Sequence, residues 1–175
     1  MLDSAMRKGK VFKENSISIN EWIPDIFRVL KGGSHCYIMC NNKNLHDFLD
    51  AARDSDFHLV KTMIWKKDNK IMSQAYMSQM EFILFLRKGK FKRINKCGTS
   101  DVMEFANVRN KTHPSQKPVD LLESLIENSS NEGDTVLDPF AGTGSCALAC
   151  KNLNRNFIGI EVDKLYFDIA INRCA

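Results

Sequence analysis

The stretch "TVLDPFAGTGSCALACKNLNRNFIGIEV" (135–162) constrains the fold more than any other part of the chain. An apolar run ends in Asp138, turns on Gly142 and Gly144 into a small-residue helix, and returns through a second apolar run to Glu161. That order reads as strand, tight turn, helix, strand. In an open α/β sheet the ligand lies outside the carboxyl ends of the strands, where a glycine turn lets the backbone approach it at a helix N-terminus. An acid about 20 residues beyond the turn is placed to accept hydrogen bonds from two ribose hydroxyls. The segment predicts a ligand that carries a nucleoside.

The choice of nucleoside turns on Asp138. "GTGSCA" (142–147) also fits the G-x-G-x-x-G/A pattern of dinucleotide-binding folds. A carboxylate at the strand end, however, repels a pyrophosphate lying on that turn and attracts a cation. S-adenosylmethionine carries an ammonium and a sulfonium, so it is the favoured cofactor. NAD is the disfavoured alternative, and no His or Tyr constellation near the turn supports hydride chemistry.

Composition narrows the setting. At 175 residues, 43% hydrophobic and 26% charged, the chain suits a single domain over 1–175. No apolar run approaches the roughly 18 residues of a membrane span, and the first residues (1–10) hold no apolar stretch able to act as a signal peptide. A cytoplasmic protein with no membrane partner is expected. Cys36, Cys40, Cys97, Cys146, Cys150 and Cys174 form no CxxC pair and no Cys/His grouping at zinc-ligand spacing, so buried, reduced thiols and no metal are expected. The formal charge of +4 is concentrated in "RKGKFKRINK" (87–96), which has six basic residues in ten positions. Lys88, Lys90, Lys92 and Arg93 are the candidate contacts to a polyanion, for which a solvated basic loop is the plain alternative.

Along the chain, strands and helices alternate without an internal repeat. "EWIPDIFRVLKGG" (21–33) is an amphipathic helix stopped by glycine, "HCYIMC" (35–40) a short strand, and "LHDFLDAARDSD" (45–56) a second helix. "FHLVKTMIWKK" (57–67) and "MEFILFLRKG" (80–89) predict strands that pair antiparallel at a sheet edge. The polar segment 90–112 lacks periodicity and is read as a loop. "PVDLLESLIENSS" (118–130) predicts a helix with Pro118 near its first turn, and "KLYFDIAINR" (164–173) a last helix. The implied architecture is a three-layer α/β sheet.

"DPFAGTGS" (138–145), preceded by "HPSQKP" (113–118) and followed by "NFIGIEVDKLYFDIAINR", resembles the cofactor half of the DNA amino-methyltransferases, which methylate the exocyclic amine of adenine or cytosine. The order is that of the permuted group, whose cofactor half follows its catalytic half. "EWIPDIFRVLKGGSHCYIMCN", "IWKKDN" and "MEFILFLRKG" resemble the family's upstream segments, so the likeness spans nearly the whole chain. The resemblance implies a Rossmann-like methyltransferase fold with a mixed sheet and an antiparallel edge hairpin. It divides the domain into a catalytic-half remnant (1–86), a basic loop (87–112) and a cofactor half (113–175). It implies that Asp138, Pro139, Phe140, Ala141, Gly142, Thr143 and Gly144 bind S-adenosylmethionine, Phe140 near the adenine and Asp138 near the methionyl end. Glu161 would hold the ribose, while Gln116, Lys117 and Pro118 would lie beside the methionine moiety. Trp65 and Lys66 would stand near the target-base pocket, with a core role for Trp65 as the alternative. Double-stranded DNA is the implied partner, and a homodimer stays open.

One departure matters. The family holds the target amine with an Asp-Pro-Pro-Tyr tetrapeptide or a close variant, and this chain has only Pro24, Pro114, Pro118 and Pro139, no two adjacent. No catalytic residue is therefore assigned, and the expected fold is N-terminally incomplete, because the strand bearing the tetrapeptide sits beside the strand ending at Asp138. The reading is a site-specific DNA amine methyltransferase that is inactive or impaired as this chain. A non-catalytic DNA-binding or partner subunit derived from such an enzyme is the alternative, followed by the NAD-linked oxidoreductase.

Overall fold

The computed structural model describes residues 17–175. Its elements run α1 (Ile19–Val29), β1 (His35–Cys40), α2 (Leu45–Asp54), β2 (His58–Ile71), β3 (Ser78–Arg87), β4 (Val102–Glu104), α3 (Val119–Ser129), β5 (Thr135–Asp138), α4 (Ser145–Asn152), β6 (Asn156–Gly159) and α5 (Lys164–Cys174). The part of the catalytic-half assignment that falls on 1–16 lies outside the described residues.

β3 explains the layering. Ile83, Leu84, Phe85 and Leu86 are all buried, the signature of a strand covered on both faces. Because alternate side chains point to opposite faces, Leu84 and Leu86 meet α1 and α2 through Ile23, Ala51 and Ala52. Ile83 and Phe85 meet Met63, Trp65, Leu121 and Leu125 on the other side. Helices thus cover both faces of a mixed sheet ordered β1-β3-β2-β4, in which β3 is antiparallel to β1 and β2 while β4 is parallel to β2.

The expected antiparallel pairing of the two long strands is present, and only the three-residue β4 lies outside β2. β4 is also a correction to the loop reading of 90–112: Met103 is buried against Trp65, and one buried residue between two exposed ones leaves no periodic trace in sequence. Pro118 is the N-cap of α3, one position before its first turn.

Among the described residues the strands form two sheets. β5 and β6 pair in parallel as a separate two-stranded sheet, so among the described residues β1 and β5 are each paired along one edge only. α3 joins the pieces. Leu121 and Leu125 pack on the four-stranded sheet, while Val119, Leu122 and Ile126 pack on Cys146, Ala149 and Cys150 of α4 and on Val136 and Phe157. At its C-terminal end Ser129 Oγ lies 2.7 Å from Tyr37 Oη and 2.8 Å from His35 Nδ1, which fixes that end beside the start of β1.

These contacts set polarity. α3 runs from the carboxyl end of β1 to its amino end, and β5 returns, so β1, β2, β5 and β6 all finish at the same end of the molecule. Leu121 is fully buried where α3 meets the four-stranded sheet. Leu121→Ala is expected to lower stability by about 2–5 kcal/mol, seen as a lower denaturant midpoint at unchanged slope.

Candidate functional site

The site forms at the shared carboxyl end. Asp138 closes β5, and one of its carboxylate oxygens accepts the Phe140 amide at 3.0 Å, which folds the chain back on itself. Gly142 and Gly144 follow with φ of 53° and 76°, the left-handed region that glycine occupies without strain. Gly144 has a second reason to lack a side chain, since a Cβ there would lie 2.9 Å from the Ala170 methyl on α5. The turn is therefore held against α5 as well as by its own backbone.

Glu161 is fixed by the same turn. Its carboxylate accepts the Gly142 amide at 2.7 Å and the Asp163 amide at 2.8 Å, one on each oxygen. Each oxygen retains a further lone pair, so a pinned acceptor pair remains available to vicinal hydroxyls. Phe140 packs edge-on against Trp22 of α1, with centroids 4.9 Å apart, and is still 44% exposed, leaving apolar area beside the turn.

Burial pushes the Asp138 carboxyl above the usual carboxylate range, the nearby Glu161 charge adds to this, and the Phe140 amide opposes it. Among the described residues no ammonium or guanidinium pairs with Asp138.

The "HPSQKP" loop borders this site but is occupied with its own contacts. His113 stacks edge-on with Tyr166 of α5 at 4.4 Å, and its pKa is lowered by burial although Glu161 and Asp163 pull it up. Gln116 Oε1 accepts the Thr112 amide and hydroxyl at 3.1 Å each, which tightens the loop. Lys117 Nζ lies 2.6 Å from Glu81 Oε2, and Lys67 Nζ lies 2.6 Å from Glu81 Oε1. Both ammoniums stand over the Trp65 ring, at 4.7 Å for Lys67 and 5.7 Å for Lys117.

Glu81 is the residue that sequence reasoning missed. Burial raises its pKa, but Lys117 and Lys67 together outweigh burial and hold it below the usual range. The same two lysines, after desolvation, lower the pKa of the half-buried Lys111. One signal was available, namely an acid at the head of the otherwise apolar "FILFL" run.

Trp65 as a base contact is corrected. The indole is 1% exposed, sits in the core and donates from Nε1 to the Phe105 carbonyl at 2.9 Å, so it offers no open face. Lys66 is exposed and pairs with Glu104 at 2.9 Å.

The basic run is not brought to this site. Arg87 pairs with His35 and His58 at the starts of β1 and β2, so Lys88, Lys90, Lys92 and Arg93 lie at the opposite end of the sheet. Lys88 donates to the Phe27 carbonyl at 2.6 Å and the Arg28 carbonyl at 3.3 Å, closing the end of α1. Lys90, Lys92 and Arg93 are exposed. All six cysteines are unbridged; Cys97 is exposed, which corrects the expectation that every thiol is buried.

A DNA methylase family model matches residues 11–172, all but the two ends of the chain. The chain belongs to the DNA methylase family. Its relatives include the type II methyltransferase M.HpaI of Haemophilus parainfluenzae, 31% identical over 88% of this chain and 57% of that protein. The type II methyltransferase M2.DpnII of Streptococcus pneumoniae is 30% identical over 93% of this chain and 68% of its own length. The chain therefore spans little more than half of the M.HpaI relative. Among solved structures, the M1.HpyAVI–SAM complex superposes with a TM-score of 0.79 at 33% identity, covering 90% of this chain and 83% of that one. The cytosine-N4-specific PvuII DNA methyltransferase reaches the same TM-score at 15% identity, a likeness of fold. For this DNA methylase family member the fold expectation is met. No helix among the described residues is long and apolar enough to cross a membrane.

Two outcomes are expected here. Because the folded-state pKa of Asp138 is raised, ionising it disfavours folding above the ordinary carboxylate range. Asp138→Asn keeps an acceptor for the Phe140 amide and should raise the Tm at neutral pH, with the gain vanishing in acid. Glu81→Gln strands two close ammoniums and should cost about 3 kcal/mol in denaturant unfolding.

Proposed function

We propose that the chain is the cofactor-bearing part of a site-specific DNA amine methyltransferase and that it binds S-adenosylmethionine at the end of β5 and β6. The observation that carries this reading is the geometry of the turn: Asp138 closes β5 and accepts the Phe140 amide, has no ion-pair partner among the described residues, and stands beside a glycine turn whose backbone pins Glu161. The residues fit the group. Asp138 answers an ammonium, the two oxygens of Glu161 answer ribose hydroxyls, and Phe140 presents apolar surface to an aromatic base. Pro139, Ala141 and Thr143 shape the turn that holds these groups, whose Phe140, Ala141, Gly142 and Gly144 amides are engaged inside the protein by Asp138, Ile160, Glu161 and Ala141. Bound there, the cofactor supplies an electrophilic methyl group. Lys117, in the loop just before α3, is anchored to Glu81, so its charge is positioned without being free to swing. Family membership and the likeness to the M1.HpyAVI–SAM complex support the same assignment.

The acceptors for the target amine are a separate matter. An exocyclic amine gains positive charge as it attacks a methyl group, and acceptors at that nitrogen lower the barrier. No two prolines are adjacent in the 175 residues, and the lone Asp-Pro step, Asp138-Pro139, is committed to the cofactor turn. In this reading DNA approaches the carboxyl end of the sheet, where Asp138 and Lys117 lie, and not the opposite end, where Lys90, Lys92 and Arg93 lie.

Calorimetry tests the cofactor. S-adenosylmethionine should bind with an affinity that is full above the raised Asp138 pKa and lost as pH falls through it, because the ammonium requires the ionised acid. Asp138→Asn should flatten that profile and weaken binding at least tenfold, and preference for NAD would reject the assignment. In a tritiated-methyl assay on mixed-sequence DNA, residues 1–175 should transfer nothing. A chain extended upstream by a segment that carries the Asp-Pro-Pro-Tyr tetrapeptide should transfer methyl groups, and robust transfer without it would reject the account of the acceptors.

A further inference from the structure

The β2–β3 hairpin projects past the end of the sheet where the cofactor site lies. β2 runs parallel to β1 and ends at Ile71, and β3 begins at Ser78, so the connection 72–77 stands beyond Lys66 and Met80 at the carboxyl end. Its register with β3 is irregular between Lys66 and Ile71. This tip is unusually apolar for an exposed turn. Tyr76 is 97% exposed and Met72 84%, with Ile71, Met77 and Met80 also exposed. From Asn69 to Met80 the chain contains no carboxylate and one cation, Lys70. Ser73 Oγ accepts the Ala75 amide at 3.2 Å and shapes the turn, and Tyr76, next along the chain, is held out into solvent.

We propose that the tip of this hairpin is a wedge that enters duplex DNA, with Tyr76 stacking in a base step and Lys70 answering a neighbouring phosphate. The inference rests on the methyltransferase reading and names how that site engages its substrate. Chemistry on an exocyclic amine needs the base removed from the stack, which leaves a void bounded by two base faces. An exposed aromatic ring flanked by methionines, carried on a stiff antiparallel pair, fills such a void at small cost in conformational entropy. Charge agrees with this choice. A tip without acids beside a lysine suits a polyanion, and the acids near its base are already engaged, Asp68 with Arg109 and the Asn107 amide, and Glu81 with Lys67 and Lys117.

The test uses the 175-residue chain and a fluorescein-labelled mixed-sequence duplex, followed by anisotropy across a salt titration with S-adenosylhomocysteine present. Tyr76→Ala should weaken binding about tenfold with an unchanged salt slope, since stacking releases no counterions. Tyr76→Phe should bind like the parent, and Lys70→Ala should lower the slope. Because the ring is exposed, the melting temperatures of all three should match the parent. A 5-iodouracil duplex irradiated with the parent should crosslink to Tyr76. Equal affinity of Tyr76→Ala and parent, with no crosslink, overturns the wedge and leaves the cofactor assignment standing. A parent that binds no DNA at any salt overturns the wedge together with the DNA reading. Sedimentation showing that Tyr76→Ala dissociates a dimer would assign the tip to a second copy and reject DNA as its partner.

Discussion

The structure depends on α3 having two apolar faces. Leu121 and Leu125 bury against the four-stranded sheet, and Val119, Leu122 and Ile126 bury against α4 and the β5–β6 pair. The two sheets share no strand pairing among the described residues, so this helix and the ring contact between Trp22 and Phe140 fix the relative position of their strand ends. The position of Asp138 relative to Lys117 follows from that helix. One segment carries both, Lys117 just before α3 and Asp138 one short strand after it.

Two electrostatic arrangements then stand side by side with opposite character. Around Glu81 the charges are mutually satisfied, since one carboxylate engages two ammoniums at 2.6 Å, and an indole ring beneath them shares the cationic charge. Around Asp138 they are not, because burial and Glu161 both raise the energy of the ionised acid, and a single amide opposes them. The first arrangement is structural and rigid. The second disfavours the ionised acid, the kind of perturbed group the proposed cofactor role of Asp138 calls for.

The glycine turn after β5 was legible in sequence because its requirements are local. Gly142 needs a positive φ, Gly144 needs both that and clearance from Ala170, and Glu161 lies a fixed strand length away, so the chemistry is written into spacing. The alternating strands and helices were legible for the same reason. What was not legible depends on tertiary placement. "RKGKFKRINK" reads as a polyanion contact, and because it begins where β3 ends and β3 runs against its neighbours, its charge lies at the end of the sheet opposite Asp138, which no local pattern records. Trp65 matched a family strand, and its alternation along β2 sends the ring inward beside Met63. Glu81 was missed because a salt bridge to residues 14 and 36 positions away has no local pattern. The break between β1 and β5 among the described residues falls where the sequence, without adjacent prolines, left no strand bearing the tetrapeptide to be placed.

That break bears on how amine acceptors can reach the site. β1 and β5 run in the same direction and end together, and each presents one edge without a strand partner among the described residues. Unpaired backbone amides and carbonyls in such a place favour pairing with an extended segment, and a segment parallel to both would carry its carboxyl end to the level of Asp138. A tetrapeptide at that end would follow the strand as Asp138 follows β5, projecting its acid, amide or backbone carbonyl over the same opening. Acceptor geometry would then be set by ladder hydrogen bonds on two sides rather than by a flexible loop. The precision needed to hold a poorly nucleophilic amine in line with a methyl donor is of the order of 0.5 Å, which a strand held on both edges supplies and a free terminus does not.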